Sequence, residues 1–312
     1  MKKLVTLVLA LVLVAAAACA GATSIGVIQL VQHEALDLAT QGFIDAVTAA
    51  IPDAEIEVQN ASGDPVACAT IANTFVSANV DLIMANATAA LQAASAATGD
   101  IPVLGTSITE YGVALGIDDF KGVTGINISG TSDLAPLSEQ AAMVKALFPD
   151  AKKVGLLYCS AEANSIYQVK VVGEELKNLG YETEDFAFTD SNDVASVAQN
   201  AADSCDVIYI PTDNTAAAYK ETIGNVVIPA NIPVIAGEEG ICAGCGVATL
   251  TISYYDIGYK TGEMAVDILV NGADVSAMPI QYAPQFVKKY NPVMAEDLGV
   301  TIPEGYEALV IE

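Results

Sequence analysis

Short runs of Val, Ile and Leu recur along the chain, separated by stretches in which apolar residues return every three or four positions. The runs at 25–30, 56–59, 80–85, 101–105, 154–158, 183–188, 207–210 and 233–236 have the length and β-branched content of buried strands. The intervening pattern is helical. Ala35, Leu38, Ala39, Phe43, Ala46 and Val47 share one face at a period of 3.6 residues, which predicts an amphipathic helix after the first strand. Continuous apolar strands alternating with helices predict an α/β fold with parallel sheets covered on both faces.

The second half of the chain repeats the first. The segment VDLIMAN beginning at Val80 corresponds to CDVIYIP beginning at Cys205, IPVLG at Ile101 to IPVIA at Ile232, and IGVIQ at Ile25 to VGLLY at Val154. These pairs lie 125, 131 and 129 residues apart. The chain therefore reads as two similar doubly wound, Rossmann-like lobes. Each should bind ligands outside the carboxyl ends of its strands, so two such ends facing one another make a cleft. Helix N-termini pointing into that cleft would offer free N–H groups to anionic parts of a ligand.

Lys2 and Lys3 precede an apolar run over 4–18, the pattern of an export signal and too short for a transmembrane helix. Two ends to this signal are open. Cleavage after Ala22 would remove 1–22, whereas Ala16, Ala17, Ala18 and Cys19 resemble a lipobox, with 1–18 removed and Cys19 lipidated. Contact with the membrane would then be through the lipid anchor alone. The chain beyond the signal is long enough for two medium lobes with buried cores. Acidic residues number 38 against 12 basic ones, every one of them Lys, giving a net charge of -26. Such a balance excludes nucleic acid as a partner, since phosphate binding needs a basic face.

Enzymatic and cofactor chemistry finds no footing. There is no GxGxxG after the first strand, no GxSxG elbow, and His33 is the sole histidine. Cys242 and Cys245 have CxxC spacing but no second ligand pair for zinc, leaving a local disulfide or two small loop thiols.

Candidate ligand contacts are set by position at strand ends. Gln32 and His33 open the first helix, as a cap or as cleft donors. Asn86 and Thr88 in one lobe match Asp213, Asn214 and Thr215 in the other. All are natural N-caps, yet Asp213 has the acceptor that an ammonium needs. Thr106 and Ser107 match Glu238 and Glu239, either of which could assist Asp213. Thr131, Ser132 and Asp133 are expected to begin a helix, with capping as their default role. Without Arg, no bidentate clamp on a ligand carboxylate is available, so helix N-termini, hydroxyls and amides are expected to supply those donors. Without Trp, stacking would fall to Tyr111, Tyr167 or Tyr254, for each of which core packing is the competing role.

Five segments in this order carry a family resemblance: IGVIQLVQHEALD from Ile25, GTSD from Gly130, LYCSAEANS from Leu157, PTDNT from Pro211 and GEEG from Gly237. With them the chain resembles the ABC transporter substrate-binding family of type I periplasmic-binding architecture, the group that includes tryptophan and tyrosine binders. The resemblance implies three chain crossings near 128–131, 253–255 and 283–286. Lobe 1 would comprise 24–128 plus 254–283, and lobe 2 would comprise 131–252 plus 286–312. It implies a helix over 254–270 returning to lobe 1, and Ser160 and Asn164 in the second-lobe binding segment. Capture of an α-amino acid by hinge closure, aromatic ones favoured, and delivery to permease subunits of an importer are implied by the same resemblance. A sugar or nucleoside ligand, or a sensory role on the same fold, remain the competing readings.

Overall fold

The computed structural model describes residues 22–311. Residues 1–21, which hold Cys19 and all but Ala22 of the expected export signal, lie outside them. The first lobe runs through Ser24–Gln29 (β1), Glu34–Ala50 (α1), Glu55–Asn60 (β2), Pro65–Ala78 (α2), Leu82–Asn86 (β3), Thr88–Ala97 (α3), Val103–Ile108 (β4), Tyr111–Leu115 (α4) and Ile128–Ser132 (β5). The second continues through Leu137–Leu147 (α5), Lys153–Cys159 (β6), Ala163–Asn178 (α6), Glu182–Phe188 (β7), Val194–Ser204 (α7), Val207–Ile210 (β8), Asn214–Ala218 (α8), Lys220–Val227 (α9), Val234–Ala236 (β9), Glu239–Cys245 (α10) and Ala248–Thr251 (β10). Tyr254–Leu269 (α11) and Gln281–Tyr282 (β11) return to the first lobe. Val287–Tyr290 (β12), Pro292–Asp297 (α12) and Glu307–Ala308 (β13) complete the second.

Local chemistry sets the element ends. The α2 helix has Asp64 accepting from Val66 N, Pro65 in its first turn and Asn79 closing it in the left-handed region at φ 53°. The first sheet has the order β11-β5-β4-β3-β1-β2 and the second β13-β12-β10-β9-β8-β6-β7. In the first, every pairing is parallel; in the second, only β10 with β12 is antiparallel. Both carry the doubly wound order, with the turn of direction between the first and third strands of each lobe. Buried clusters cover both faces of each sheet, Phe75 and Leu91 against Phe43 and Met84 in one lobe, Phe188 and Ile208 against Val172 and Leu156 in the other.

Helix α11 lies along α1 at very close range. A Cβ at Gly258 would overlap Ala39 O, and one at Gly42 would overlap Tyr255 O. Backbones can approach this closely only where side chains are absent. Leu38, expected on the buried face of α1, is 43% exposed because α11 covers the Ala39 and Phe43 side instead.

The sheets are joined by three crossings, at 133–136, 252–253 and 283–286. The first falls later than the sequence suggests, because 128–132 is a strand of the first sheet. Thr131 and Ser132 therefore belong to β5 and do not begin a helix; the next helix starts at Leu137 with Pro136 before it. Cys242 and Cys245, expected as a disulfide or as loop thiols, lie within α10, free and fully buried. No helix among the described residues is long and apolar enough to cross a membrane.

Candidate functional site

The carboxyl ends of both sheets meet around a small cavity of about 10 Å³. His33 and Leu36 reach it from the start of α1, Ser107 and Thr109 from the end of β4, and Asp133 from the first crossing. Asn164, Thr212, Asp213, Asn214 and Glu238 face them from the second lobe, and Tyr254 stands at the second crossing. A wider recess of about 610 Å³ adjoins it, with Asn214 common to the two. The lobes touch across the cleft, His33 Nε2 lying 3.3 Å from Asn214 Oδ1.

Two polar groups at the first-lobe wall stand out. Asp133 is buried; its Oδ2 accepts from the Tyr254 hydroxyl at 3.1 Å, while Oδ1 has no hydrogen-bond partner among the described residues. Ser107 Oγ is likewise buried without a partner among them. The β4–β5 register shifts between Gly105 and Ile108, and Ser107 sits in the left-handed region at φ 55°. This bulge aims the hydroxyl at the cavity in place of the sheet face. Buried polar atoms are nearly always paired, so two orphans on one cavity wall mark a place where a ligand's polar groups fit.

The second-lobe wall is chemically different. Asp213 caps α8 through Ala216 N at 2.8 Å and ties β6 through Cys159 N at 2.7 Å. Glu162 accepts from Asn214 N, Thr215 N, Thr215 Oγ1 and Asn214 Nδ2 at 2.7 to 3.0 Å. Glu238 caps α10 through Gly240 N and Ile241 N. The helix N-termini expected to serve a ligand carboxylate here already serve the protein's own carboxylates.

Burial raises the Asp133 carboxyl to about 6 against the pull of the Tyr254 hydroxyl, the nearby Thr109 hydroxyl and its own backbone N–H. It raises Glu238 to about 7. Asp213 is raised by burial and by the nearby charge of Glu162. His33 is lowered, chiefly by burial, and is neutral at neutral pH. Desolvation disfavours the charged form of each.

Residues 24–310 match the family model described as ABC transporter substrate binding protein. The chain belongs to that family. A tyrosine-binding protein of Clostridioides difficile is 36% identical over 82% of this chain and 75% of its own length. An ABC domain of Streptococcus pneumoniae solved in complex with L-Trp is 30% identical, with a TM-score of 0.87 over 93% of this chain and all of that one. A ligand-free, open substrate-binding protein with adhesive properties from Clostridium difficile is 35% identical over the same shares, yet its TM-score is 0.70. The higher identity goes with the poorer superposition. In this chain the lobes touch through His33 and Asn214.

Within this family fold, the structure brings His33, Ser107, Asn164, Asp213, Asn214 and Glu238 to the central cavity. Gln32 and Thr215 line the wider recess. The rest are turned elsewhere. Asn86 donates to Leu36 O and Thr40 Oγ1 beneath α1, and Thr88 is buried in the first turn of α3. Thr106 and Thr131 share a hydrogen bond at 3.1 Å, and Thr131 another with Thr261 at 2.8 Å, fastening the sheet to α11. The Ser132 hydroxyl donates to Thr109 O. Ser160 donates to Phe188 O, and Glu239 pairs with Lys289 at 2.7 Å in a neighbouring recess that shares Glu238 and Tyr254 with the central cavity. Tyr111 directs its hydroxyl at Gly105 O and Thr131 O in the core.

Sequence reasoning assigned Asp133 only a capping role and passed over Thr109, Glu162 and Thr212. The GTSD segment carried the signal for Asp133, since its small polar run continues the strand and places the Asp just beyond a strand end.

Proposed function

We propose that this protein is exported, captures a free amino acid, with aromatic side chains favoured, and presents it in the closed form to the membrane subunits of an ABC importer. The observation that carries the reading is the Asp133 carboxylate oxygen, buried and unpartnered on an inter-lobe cavity wall. An ammonium brings three donors and the charge that a desolvated carboxylate lacks. Ser107 stands ready for a remaining polar group, and the wider recess receives the side chain. The named ligands of the tyrosine and tryptophan relatives support the same class.

In this reading Asp213, with both oxygens on backbone donors, holds the second-lobe wall in shape, and Asp133 takes the ammonium. His33 and Asn214 latch the lobes once a ligand bridges them. Closure gains only from contacts made in the closed state and absent in the open one. A thermal-shift screen of the protein against the twenty amino acids, several sugars and nucleosides tests the reading. Stabilisation that grows with amino-acid concentration is expected; stabilisation by sugars or nucleosides alone would sink it.

A further inference from the structure

Glu162 is a buried carboxylate in the turn between β6 and α6, and among the described residues no Lys lies within ion-pair distance of it. Five donors converge on its two oxygens instead. Oε1 accepts from Thr215 N and Thr215 Oγ1, both at 2.8 Å. Oε2 accepts from Asn214 N at 3.0 Å, Asn214 Nδ2 at 2.7 Å and Asn164 Nδ2 at 3.0 Å. With its approaches taken by donors, the carboxylate acts purely as an acceptor. The bond to Asn214 Nδ2 caps no helix, and Asp213 already caps α8 through Ala216 N.

An Asn amide has a donor end and an acceptor end. Because Glu162 only accepts, Nδ2 of Asn214 must face it and Oδ1 must point away. It points at the first lobe, where His33 Nε2 lies 3.3 Å from it. An amide oxygen also only accepts, so the hydrogen of this cross-lobe bond belongs to Nε2. The proton's place on the ring is thus set by a carboxylate one hydrogen bond further off. Other charges near the ring leave this unchanged. Glu162 and Asp37 favour its charged form and Lys220 on α9 opposes it, but burial is the largest influence and leaves it neutral at neutral pH. Asp133, Asp213 and Glu238 share the cavity with His33 and have their hydrogen bonds elsewhere. The neighbouring cross-lobe pair, Lys220 with Glu34 at 4.0 Å, is long and open to water on the Glu34 side, so it holds the lobes weakly.

We infer, resting on the reading of capture by closure above, that Glu162 is a positioning residue for closure: it presets the Asn214 amide so that its oxygen awaits the His33 Nε2–H. The second-lobe half of this catch is preformed, since the five donors to Glu162 all lie in that lobe. Preorganisation removes the cost of ordering the amide when the lobes meet. Without Glu162 the amide is free to turn its donor end to the ring, and the bond is no longer specified.

His33 is the sole histidine, so isotope-labelled histidine reports on this one ring. Nuclear magnetic resonance with saturating L-tyrosine, and separately L-tryptophan, should place the ring proton on Nε2. That proton should exchange with water roughly tenfold more slowly than in the Glu162→Ala and Asn214→Ala variants, the effect of one lost hydrogen bond. Stopped-flow release should quicken by roughly three- to tenfold in either variant and no further in the double variant, because both act through the same bond. A proton on Nδ1 in the bound state overturns the inference whatever the variants do. So does an Nε2–H equally protected in Glu162→Ala, or release rates that multiply in the double variant. Should Glu162→Ala fail to fold, an Nε2–H left unchanged by Asn214→Ala overturns it alone. Thermal shifts with the same two amino acids keep the two readings apart. Stabilisation without any change at His33 overturns the inference and leaves amino-acid capture standing, whereas neither stabilisation nor change at His33 overturns both.

Discussion

Replacing Asp133 with Asn separates a ligand anchor from a merely structural carboxyl, because the two roles predict effects of opposite sign. The amide keeps an oxygen for the Tyr254 hydroxyl, 3.1 Å away, and the shape of the wall. It loses the charge. A hydrogen bond between charged partners is worth about 1.5 to 3 kcal/mol net, so amino-acid affinity should fall by roughly 10- to 150-fold. The ligand-free protein should respond the other way. Asp133 is raised from 3.8 to about 6 by burial, and that difference of about two units means keeping it ionised at pH 7 to 8 costs the fold about 3 kcal/mol. The unpartnered amide N–H groups return about 2 kcal/mol of that cost. A net gain of about 1 kcal/mol, near 2 °C in Tm, is expected for a chain of this size. Calorimetry with L-tyrosine and L-tryptophan gives the first quantity and a thermal melt of ligand-free protein the second. Unchanged affinity in a folded variant would refute the anchor, and a large loss of ligand-free stability would make Asp133 a structural residue.

Other expectations can be checked on the same material. Because the folded Asp133 carboxyl holds its proton more tightly than the unfolded one, its destabilising contribution is full above about pH 6 and fades as pH falls toward 3.8. Amino-acid affinity should move oppositely, dropping up to tenfold per pH unit below about 6, and flat affinity from pH 7 to 4.5 would count against an ionised anchor. Asp213→Ala removes the α8 cap and the tie to Cys159 N, so a loss of about 2 to 3 kcal/mol in chemical denaturation is expected; a stable variant with weakened binding would return Asp213 to the ligand. Asn214→Ala deletes the cross-lobe contact with His33, and a two- to tenfold affinity loss is expected from one neutral hydrogen bond, carried by faster release in stopped-flow measurements. Gly258→Leu forces α11 off α1, and a melt lowered by several degrees or an insoluble product should result.

The frame of the fold is legible in the sequence wherever burial on both faces makes a strand uniformly apolar. The central strands β1, β3, β6, β8 and β9 are of this kind, and their repeats at nearly constant offset announce two lobes. Strand β5 is not, because its ISGTS sequence directs its polar groups into buried hydrogen bonds to neighbouring strands and α11. Strands β12 and β13, at one margin of the second sheet, are half-buried or exposed and carry Lys and Glu, which blurs their alternation. The candidate site divides along the same line. Strand-end position leads to His33, Ser107, Asn214 and Glu238, which line the central cavity. Position alone could not say which carboxylates were already engaged. Asp213 and Glu238 are consumed by the helices they begin, whereas Asp133 is followed by Leu134, Ala135 and Pro136 and has no helix to cap.

Asp133 and Tyr254 stand beside two of the three passages that join the sheets, so the carboxylate lies close to the axis about which the lobes would swing. Points near an axis travel short arcs, and points at the rim travel long ones. When the cleft opens, the Asp133 to Tyr254 bond can persist while His33 and Asn214 at the far wall part company. A ligand could then be tethered by its ammonium before the lobes meet and stay tethered briefly after they separate. Arrival and departure would each take two steps, with the pivot engaged first and relinquished last.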